Sequence, residues 1–78
     1  MSVFDDVRAL VAEKLSLDPS AITDSSSFIE DLNADSLDLA DLMMAVEDKF
    51  GVTFEDADAE NFKTVGDLVR ALEAKKSA

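Results

Sequence analysis

Apolar residues recur at helical spacing in three stretches of the chain, and the central stretch shows the pattern most clearly. Over residues 35–50 five of the large apolar positions fall on one face when they are plotted at about 100° per residue, the period of an α-helix. Gly51 follows the last apolar residue and Lys49 lies close before it. This ending is typical of a helix C-terminus, because glycine accepts positive φ and a cation suits the negative end of the dipole. The pattern predicts an amphipathic helix whose buried face consists of Leu39, Leu42, Met43, Val46 and Phe50.

The first stretch predicts a helix near the N-terminus. Ser2 and Asp5 resemble a capping box, and apolar residues then follow at i, i+4, i+7, i+8 and i+12 over residues 3–15. A long connection, residues 16–35, leads to the central helix. The Asp-Pro pair at 18–19 predicts one short turn within it, because proline suits a first helical position. We expect four apolar side chains to pin this connection to the core: Ile22, Phe28, Ile29 and Leu32.

The third stretch predicts a last helix over about residues 65–75, introduced by a capping-box pair of Thr64 and Asp67. Before it, Asp56 can cap a short helix near residues 57–61. No segment requires a strand partner, so we predict an all-α fold. It is a small four-helix bundle, with three main helices, one short helix and a long loop between helices 1 and 2. All 78 residues, 1–78, are expected to form a single domain.

The composition narrows the possible chemistry. The chain has no cysteine and no histidine, which excludes disulfides, thiolate metal sites and the usual general base. The N-terminal residues have neither a basic flank nor a long apolar run, so we expect no signal peptide, no transmembrane segment and a cytoplasmic location. The net charge of −11 is concentrated in residues 30–60, where eleven acidic residues stand against Lys49 alone. Such a surface disfavours nucleic acid and anionic membranes and favours protein partners with basic patches.

The central helix also carries apolar residues on its outward face. Leu37 and Met44 lie about 180° from the middle of the buried stripe. Isolated exposed apolar residues are ordinary on protein surfaces. Here, however, acidic residues at the C-terminal end oppose the negative end of the dipole, and like charges at i,i+3 repel. This unfavourable arrangement indicates a docking surface rather than a purely structural face, and its acidic members are Asp38, Asp41, Glu47 and Asp48.

Ser36 lies in the first turn of this helix, where a short polar side chain commonly caps free backbone N–H groups. The chain offers it no base other than exposed carboxylates, so we do not expect a self-activated nucleophile. Two interpretations follow. Ser36 is either an ordinary helix cap or a hydroxyl that another enzyme modifies, and the helix N-terminus would favour a phosphate ester there.

The acidic run before the helix partly matches an EF-hand calcium loop. Asp31, Asn33 and Asp35 occupy the first three ligand positions, but the sixth is Ser36 rather than glycine and the twelfth is Leu42 rather than glutamate. Without the bidentate ligand no EF-hand is predicted and no metal site is assigned. Only weak, superficial binding of divalent cations by the acidic residues stays open.

Three segments resemble an acyl carrier protein: EDLNADSLD at residues 30–38, VEDKF at residues 46–50, and FKTVGDLV at residues 62–69. Their placement, with the acidic helix between them, extends the resemblance over nearly the whole chain. One departure is Asn33, where the family usually has glycine. Asparagine tolerates positive φ well, so the turn at this position can be kept.

The resemblance implies that Ser36 carries 4′-phosphopantetheine, which a phosphopantetheinyl transferase installs from coenzyme A, and that the thiol of this arm holds acyl groups as thioesters. It implies a carrier rather than an enzyme. We expect a free-standing monomer that delivers acyl chains to the enzymes of fatty acid biosynthesis. A carrier for a polyketide or another specialised acyl pathway is the alternative. The third interpretation is an acidic protein-interaction module in which Ser36 is only a cap.

The resemblance also implies roles for two larger sets of residues. Basic grooves on partner enzymes would meet the acidic helix face and its extension, in contacts that should be weak and salt-sensitive. This predicted partner surface comprises Asp35, Leu37, Asp38, Asp41, Met44, Glu47, Asp48, Asp56 and Glu60. The acyl chain would be enclosed between the helices by an apolar lining: Phe28, Ile29, Leu32, Leu39, Leu42, Met43, Val46, Phe50, Phe54, Ala59, Phe62, Leu68, Val69 and Leu72.

Overall fold

The fold is all-helical in the residues that the structure describes. The structure is a computed structural model that describes residues 2–55, 58 and 61–77, with the backbone alone at 76–77. Three α-helices and one turn of 3₁₀-helix follow one another: α1 (Val3–Leu15), the 3₁₀ turn (Pro19–Ala21), α2 (Ser36–Phe50) and α3 (Val65–Ser77). The three main predicted helices and the short turn after Asp18 are therefore confirmed. Within this described part, no helix is both long enough and apolar enough to cross a membrane.

The starts of α1 and α3 follow local signals in the sequence. The Ser2 hydroxyl accepts a hydrogen bond from the Asp5 N–H at 3.2 Å, which confirms the predicted cap of α1. Thr64 and Asp67 form a reciprocal pair at the start of α3. The Thr64 hydroxyl accepts from the Asp67 N–H at 3.2 Å, and the Asp67 carboxylate accepts from the Thr64 N–H at 3.1 Å. These bonds satisfy backbone N–H groups that have no partner within the helix.

The predicted end of α2 is also confirmed. Gly51 adopts the left-handed conformation with φ of 68°. The N–H groups of Gly51 and Val52 both donate to the Glu47 carbonyl, at 2.9 and 3.2 Å, so the chain turns back on the helix. Val52 then packs, half-buried, against the core.

The core forms where α1 packs against both α2 and α3. Each helix contributes the apolar stripe that its periodicity predicts. Two residues one turn apart come from α1, two from α2 and three from α3, and one phenylalanine enters from the connection. These fully buried side chains are Val7, Val11, Leu42, Val46, Val65, Leu68, Leu72 and Phe28.

The connection between α1 and α2 is pinned to the core by Ile22, Phe28 and Leu32, as expected. The same expectation for Ile29 is wrong, because its side chain is 55% exposed. The N–H groups of Asp31 and Leu32 both donate to the carbonyl of residue 27, which closes a tight turn around positions 28 and 29. Adjacent side chains in such a turn point in different directions. Phe28 points into the core, and Ile29 therefore points towards solvent.

An isolated antiparallel bridge joins the connection to the start of α3. The Phe28 N–H donates to the Lys63 carbonyl at 3.0 Å, and the Val65 N–H donates to the Ser26 carbonyl at 3.0 Å. The sequence does not indicate this pairing, because a bridge of single residues leaves no periodic signal. As a result of the bridge, the connection that leads into α2 is hydrogen-bonded to the residues that lead into α3.

The predicted short helix near residues 57–61 lies mostly outside the described residues, as do Asp56 and Ala59. Of this segment the structure describes positions 58 and 61. The Asn61 N–H donates to the Asp58 carbonyl at 3.1 Å. The Asp58 carboxylate in turn accepts a hydrogen bond from the Glu55 N–H at 3.2 Å.

Candidate functional site

Ser36 is the first residue of α2, and its side chain is exposed. The residue before it, Asp35, is the N-cap. Its carboxylate accepts a hydrogen bond from the Asp38 N–H at 2.8 Å, and the Asp38 carboxylate accepts one from the Asp35 N–H at 3.2 Å. The interpretation of Ser36 as the cap is therefore wrong, because a carboxylate one position earlier takes that role. Within the described residues the Ser36 hydroxyl has no hydrogen bond, so it stays available at the positive end of the helix.

The turn before α2 is built around Asn33, which adopts a positive φ of 56°. This confirms that asparagine can keep the left-handed turn at this position. The next residue, Ala34, is buried, and its N–H donates to the Phe28 carbonyl at 2.8 Å. The chain is thus anchored in the core two residues before Ser36, which fixes where the hydroxyl emerges.

A cavity of about 410 Å³ lies beside Ser36. The aromatic and aliphatic residues on its walls include six of the predicted acyl lining: Phe28, Leu39, Leu42, Met43, Phe54 and Phe62. Five further lining residues were not predicted for this role: Ser36, Ala40, Met44, Glu47 and Glu55. Apart from Glu47, these five are exposed, so the cavity opens to the surface on the side of Ser36.

The other residues of the predicted acyl lining lie elsewhere. Ile29 is exposed on the connection, and Ala59 is outside the described residues. A pattern of apolar positions identifies the buried face of a helix. It does not identify which buried side chains leave a gap between them, because that depends on packing. Six residues accordingly belong to or pack against the core without bordering the cavity: Leu32, Val46, Phe50, Leu68, Val69 and Leu72.

The outward face of α2 carries the two predicted apolar residues. Leu37 is 81% exposed and Met44 is 68% exposed, and Met44 also borders the cavity. The acidic residues around them are not all equally accessible. Asp35, Asp41 and Asp48 are exposed, Asp38 and Glu47 are half-buried, and Asp56 and Glu60 lie outside the described residues.

Glu47 makes a contact that the sequence did not indicate. Its Oε2 atom accepts a hydrogen bond from the Phe54 N–H at 2.7 Å. The bond links the last turns of α2 to the segment that follows Gly51. A carboxylate near a helix C-terminus opposes the dipole, and this backbone donor offsets part of that cost. The partner is seven residues away across a turn, so helical periodicity could not reveal it.

Phe54 is held from three directions at the wall of the cavity. Glu47 binds its backbone, and its ring packs edge-to-face against Phe62, with centroids 5.2 Å apart and planes at 83°. The ammonium of Lys75 on α3 lies 5.2 Å from the centroid of the same ring. Edge-to-face and cation–π contacts are both favourable. Phe54 therefore connects α2, α3 and the segment between them.

This arrangement offers binding chemistry rather than acid–base chemistry. The chain has no histidine or cysteine, and the carboxylates near Ser36 are engaged in capping or exposed to water. In the part of the chain that is described, no group of three acidic side chains is arranged to hold a metal ion. What remains is an accessible hydroxyl on the rim of an apolar cavity.

Comparison with known proteins identifies the family. The sequence profile described as "Phosphopantetheine attachment site" matches residues 5–72. The chain is 46% identical over 76 residues to the acyl carrier protein of Wolinella succinogenes, covering 97% of this chain and 100% of that protein. It is 50% identical over 76 residues to the acyl carrier protein of Helicobacter hepaticus, with the same coverage of both chains.

The backbone agrees with these sequence matches. A solved structure from Mycobacterium tuberculosis, assigned as an acyl carrier protein, superposes with a TM-score of 0.89 at 31% identity and covers 95% of this chain and 99% of its own. The sequence profile, the relatives and the fold therefore all indicate the same family. The chain belongs to the acyl carrier protein family, whose prosthetic group is a covalently attached 4′-phosphopantetheine.

Proposed function

We propose that Ser36 is the attachment residue of the 4′-phosphopantetheine arm. The observation that carries this assignment is the exposed hydroxyl at the N-terminus of α2, on the rim of an apolar cavity. A helix N-terminus suits the phosphate of a phosphodiester, because backbone N–H groups and the dipole both favour negative charge. Asp35 already caps the helix, so modification of Ser36 does not remove a cap. The residues present therefore fit the group.

The cavity is proposed as the place where the acyl chain is enclosed. When bound, the arm supplies a terminal thiol that holds an acyl group as a thioester. A volume of about 410 Å³ is within the common range for small-molecule sites, roughly 300–1,000 Å³. Leu39 and Met43 on α2 form part of the walls. Phe54 and Phe62, from the segment that follows α2, form another part. An alkyl chain that enters there would exchange water contact for apolar contact.

The outward face of α2 is proposed as the surface that partner enzymes recognise. Leu37 and Met44 supply apolar contacts, and exposed acidic residues such as Asp41 and Asp48 supply long-range attraction for basic grooves. The phosphopantetheinyl transferase and the acyl-processing enzymes would share it. Asp56 and Glu60, outside the described residues, would extend it.

The proposed role is a free-standing, monomeric carrier that serves fatty acid biosynthesis in the cytoplasm and catalyses no reaction itself. The bacterial relatives of matching length support this assignment. We also propose that the segment at 57–61 forms a fourth, short helix and completes a four-helix bundle. The hydrogen bond from the Asn61 N–H to the Asp58 carbonyl supports that helix.

The test is the intact mass after incubation with coenzyme A and a phosphopantetheinyl transferase. We expect one phosphopantetheine on the wild type and none on Ser36→Ala. Ser25→Ala, a serine exposed on the connection, is the control and should be modified like the wild type. Equal labelling of Ser36→Ala would show that another residue is the attachment point. The mass of the protein purified from its own host would then show which acyl group it carries, and so distinguish fatty acid from polyketide cargo.

A further inference from the structure

The chain contains few side chains that a mild oxidant can attack. Such oxidants act on cysteine and methionine, and the sequence has no cysteine and three methionines. Met1 lies outside the described residues, and Met43 and Met44 are neighbours on α2. Oxidation of the folded protein therefore depends on how α2 places two adjacent thioethers.

The helix places these two thioethers in different surroundings. Met43 is half-buried and packs against the core, whereas Met44 is 68% exposed. Side chains on a helix lean towards its N-terminus, and the residue one turn before Met44 is Ala40. Ala40 is itself exposed and is too short to cover the thioether. An oxidant in solution therefore reaches Met44 more readily than Met43.

Met44 also borders two concave regions of the described structure. It lines the apolar cavity beside Ser36. It also lines a shallow surface groove, together with Glu47, Asp48 and residues 52–53. A change in the polarity of this one side chain therefore alters both the mouth of the cavity and the proposed partner surface.

We infer that Met44 is a site of reversible oxidation, at which hydrogen peroxide converts the thioether to a sulfoxide and thereby weakens docking on the proposed partner surface. The sulfur lone pair bonds to one peroxide oxygen as the O–O bond breaks. The other oxygen leaves as hydroxide and takes the proton that the transferred oxygen loses, which gives water. Sulfur is oxidised by two electrons, and the peroxide is reduced by two. Methionine sulfoxide reductases reverse the step with two electrons from a dithiol and release the oxygen as water.

The charge around Met44 favours an uncharged oxidant. Asp41 and Asp48 lie about one turn before and after it and are exposed. They belong to residues 30–60, where eleven acidic residues stand against Lys49 alone. This field repels an anionic oxidant such as peroxymonosulfate and has little effect on hydrogen peroxide. Salt should therefore accelerate oxidation by the anion and leave the reaction with peroxide unchanged.

A sulfoxide at this position changes the surface and leaves the fold intact. Met44 is not among the side chains that form or pack against the core, so its oxidation removes no core contact. On the surface, however, oxidation turns a flexible apolar side chain into a polar one, and burying a polar group without a partner is unfavourable. The effect on docking rests on the proposed function, because it needs a partner on this face.

The first experiment measures which methionine reacts in the unmodified protein, with hydrogen peroxide as the probe. Peptide mapping by mass spectrometry should show Met44 oxidised about tenfold or more faster than Met43. In urea-unfolded protein the two rates should become similar. The melting temperature of protein oxidised at Met44 should fall by less than about 3 °C. Equal rates at Met43 and Met44 in the folded protein overturn the inference.

The second experiment measures phosphopantetheine transfer to Ser36 before and after peroxide treatment, with catalase added to remove the peroxide before the transferase. The rate for the wild type should fall about tenfold, and a methionine sulfoxide reductase with dithiothreitol should restore it. Met44→Leu keeps an apolar side chain without sulfur, so peroxide should leave its own rate unchanged.

Two results would overturn the effect on docking: an unchanged rate for the oxidised wild type, or an equal fall in Met44→Leu. If the untreated protein accepts no arm at Ser36, the proposed function fails and the effect on docking fails with it. The preference of peroxide for Met44 is measured without a transferase, so that failure is distinguishable from failure of the oxidation site.

Discussion

The carboxylates of Asp35 and Asp38 each accept a hydrogen bond from the backbone N–H of the other residue, and Ser36 lies between them. This reciprocal box sets the first turn of α2 without using the serine hydroxyl. The chain therefore separates two tasks at one helix end: the aspartates hold the backbone, and the serine stays accessible.

The first prediction follows from that separation. Ser36→Ala should change the free energy of unfolding by less than about 0.5 kcal/mol, because the hydroxyl is exposed and, among the described residues, holds no backbone group. Asp35→Ala should cost about 1 kcal/mol, because an N-cap is lost. Urea denaturation of both variants measures the difference. A larger loss for Ser36→Ala than for Asp35→Ala would contradict the assignment of the cap.

The second prediction concerns Gly66, which is buried and donates its N–H to the Asp24 carbonyl at 2.8 Å. A Cβ atom at this position would clash with the Asp24 carboxylate and lie 2.9 Å from the Asp24 carbonyl oxygen. The side chain can move away, but the backbone is held by the hydrogen bond. Gly66→Ala should therefore destabilise the protein by about 1–3 kcal/mol, as overpacking does. The melting temperature measures this loss.

Gly51 provides the matched control for this prediction. A Cβ there would meet nothing within 4 Å, so the only cost is the positive φ of 68°. Asparagine is the residue that best replaces glycine at such a helix end. Gly51→Asn should thus be milder than Gly51→Ala, whereas Gly66→Asn should be no milder than Gly66→Ala. If asparagine is milder than alanine at both positions, the close approach of Asp24 does not explain why position 66 is glycine.

The third prediction concerns acid unfolding. The hydrogen bond from the Thr64 N–H is the main reason that the pKa of Asp67 is lowered from its ordinary value of 3.8, and the Lys63 N–H and Arg70 add to the effect. A carboxylate with a lowered native pKa stabilises the fold above its ordinary pKa and loses that contribution as the pH falls through the native value. Asp67 therefore supports the fold fully at neutral pH, begins to lose this contribution below about pH 4, and has lost it once the pH lies below the native pKa.

The measurement is the melting temperature against pH for the wild type and Asp67→Asn. The variant should be less stable at pH 7, and the gap between the two proteins should narrow as the pH falls below about 4. Taking the difference cancels the common gain from neutralising other acids. A gap that is constant down to pH 2 would mean that the charge of Asp67 contributes nothing.

The fourth prediction concerns the concentrated acidic charge. Raising ionic strength from about 0.01 to 0.15 M shortens the Debye length from roughly 30 to 8 Å, which should raise the melting temperature by screening repulsion in residues 30–60. At low salt, Asp41→Asn should be more stable than the wild type. Glu13→Gln on α1 removes the same charge outside that segment and should have a smaller effect. A melting temperature that does not change with salt would show that repulsion among these acidic residues does not lower stability.

The fifth prediction concerns the proposed partner surface. Asp41→Lys should slow modification by the phosphopantetheinyl transferase about tenfold or more at low salt, because steering by opposite charge is reversed. The melting temperature should not fall, since Asp41 holds no backbone group in the described residues. Glu13→Lys is the control with the same charge change on another helix. Asp38 is a poor site for this test, because its carboxylate belongs to the box at the start of α2.

Local patterns were sufficient for the helices and their ends. Periods of 3.6 residues, the caps at Ser2 and Thr64 and the stop at Gly51 involve residues within a few positions of each other, so the sequence alone determined them. The exposed positions of Leu37 and Met44 followed from the same periodicity. Family resemblance added the proposed role of Ser36, which no pattern of apolar residues contains.

Tertiary structure decided everything that depends on distant contacts. The bridge between the connection and α3, the outward position of Ile29 and the bond from the Phe54 N–H to Glu47 arise from segments that meet only after folding. The cavity also depends on tertiary structure, because it forms where side chains from several elements leave space unfilled between them. Sequence determined which residues face inward, and only packing decided where room was left beside Ser36.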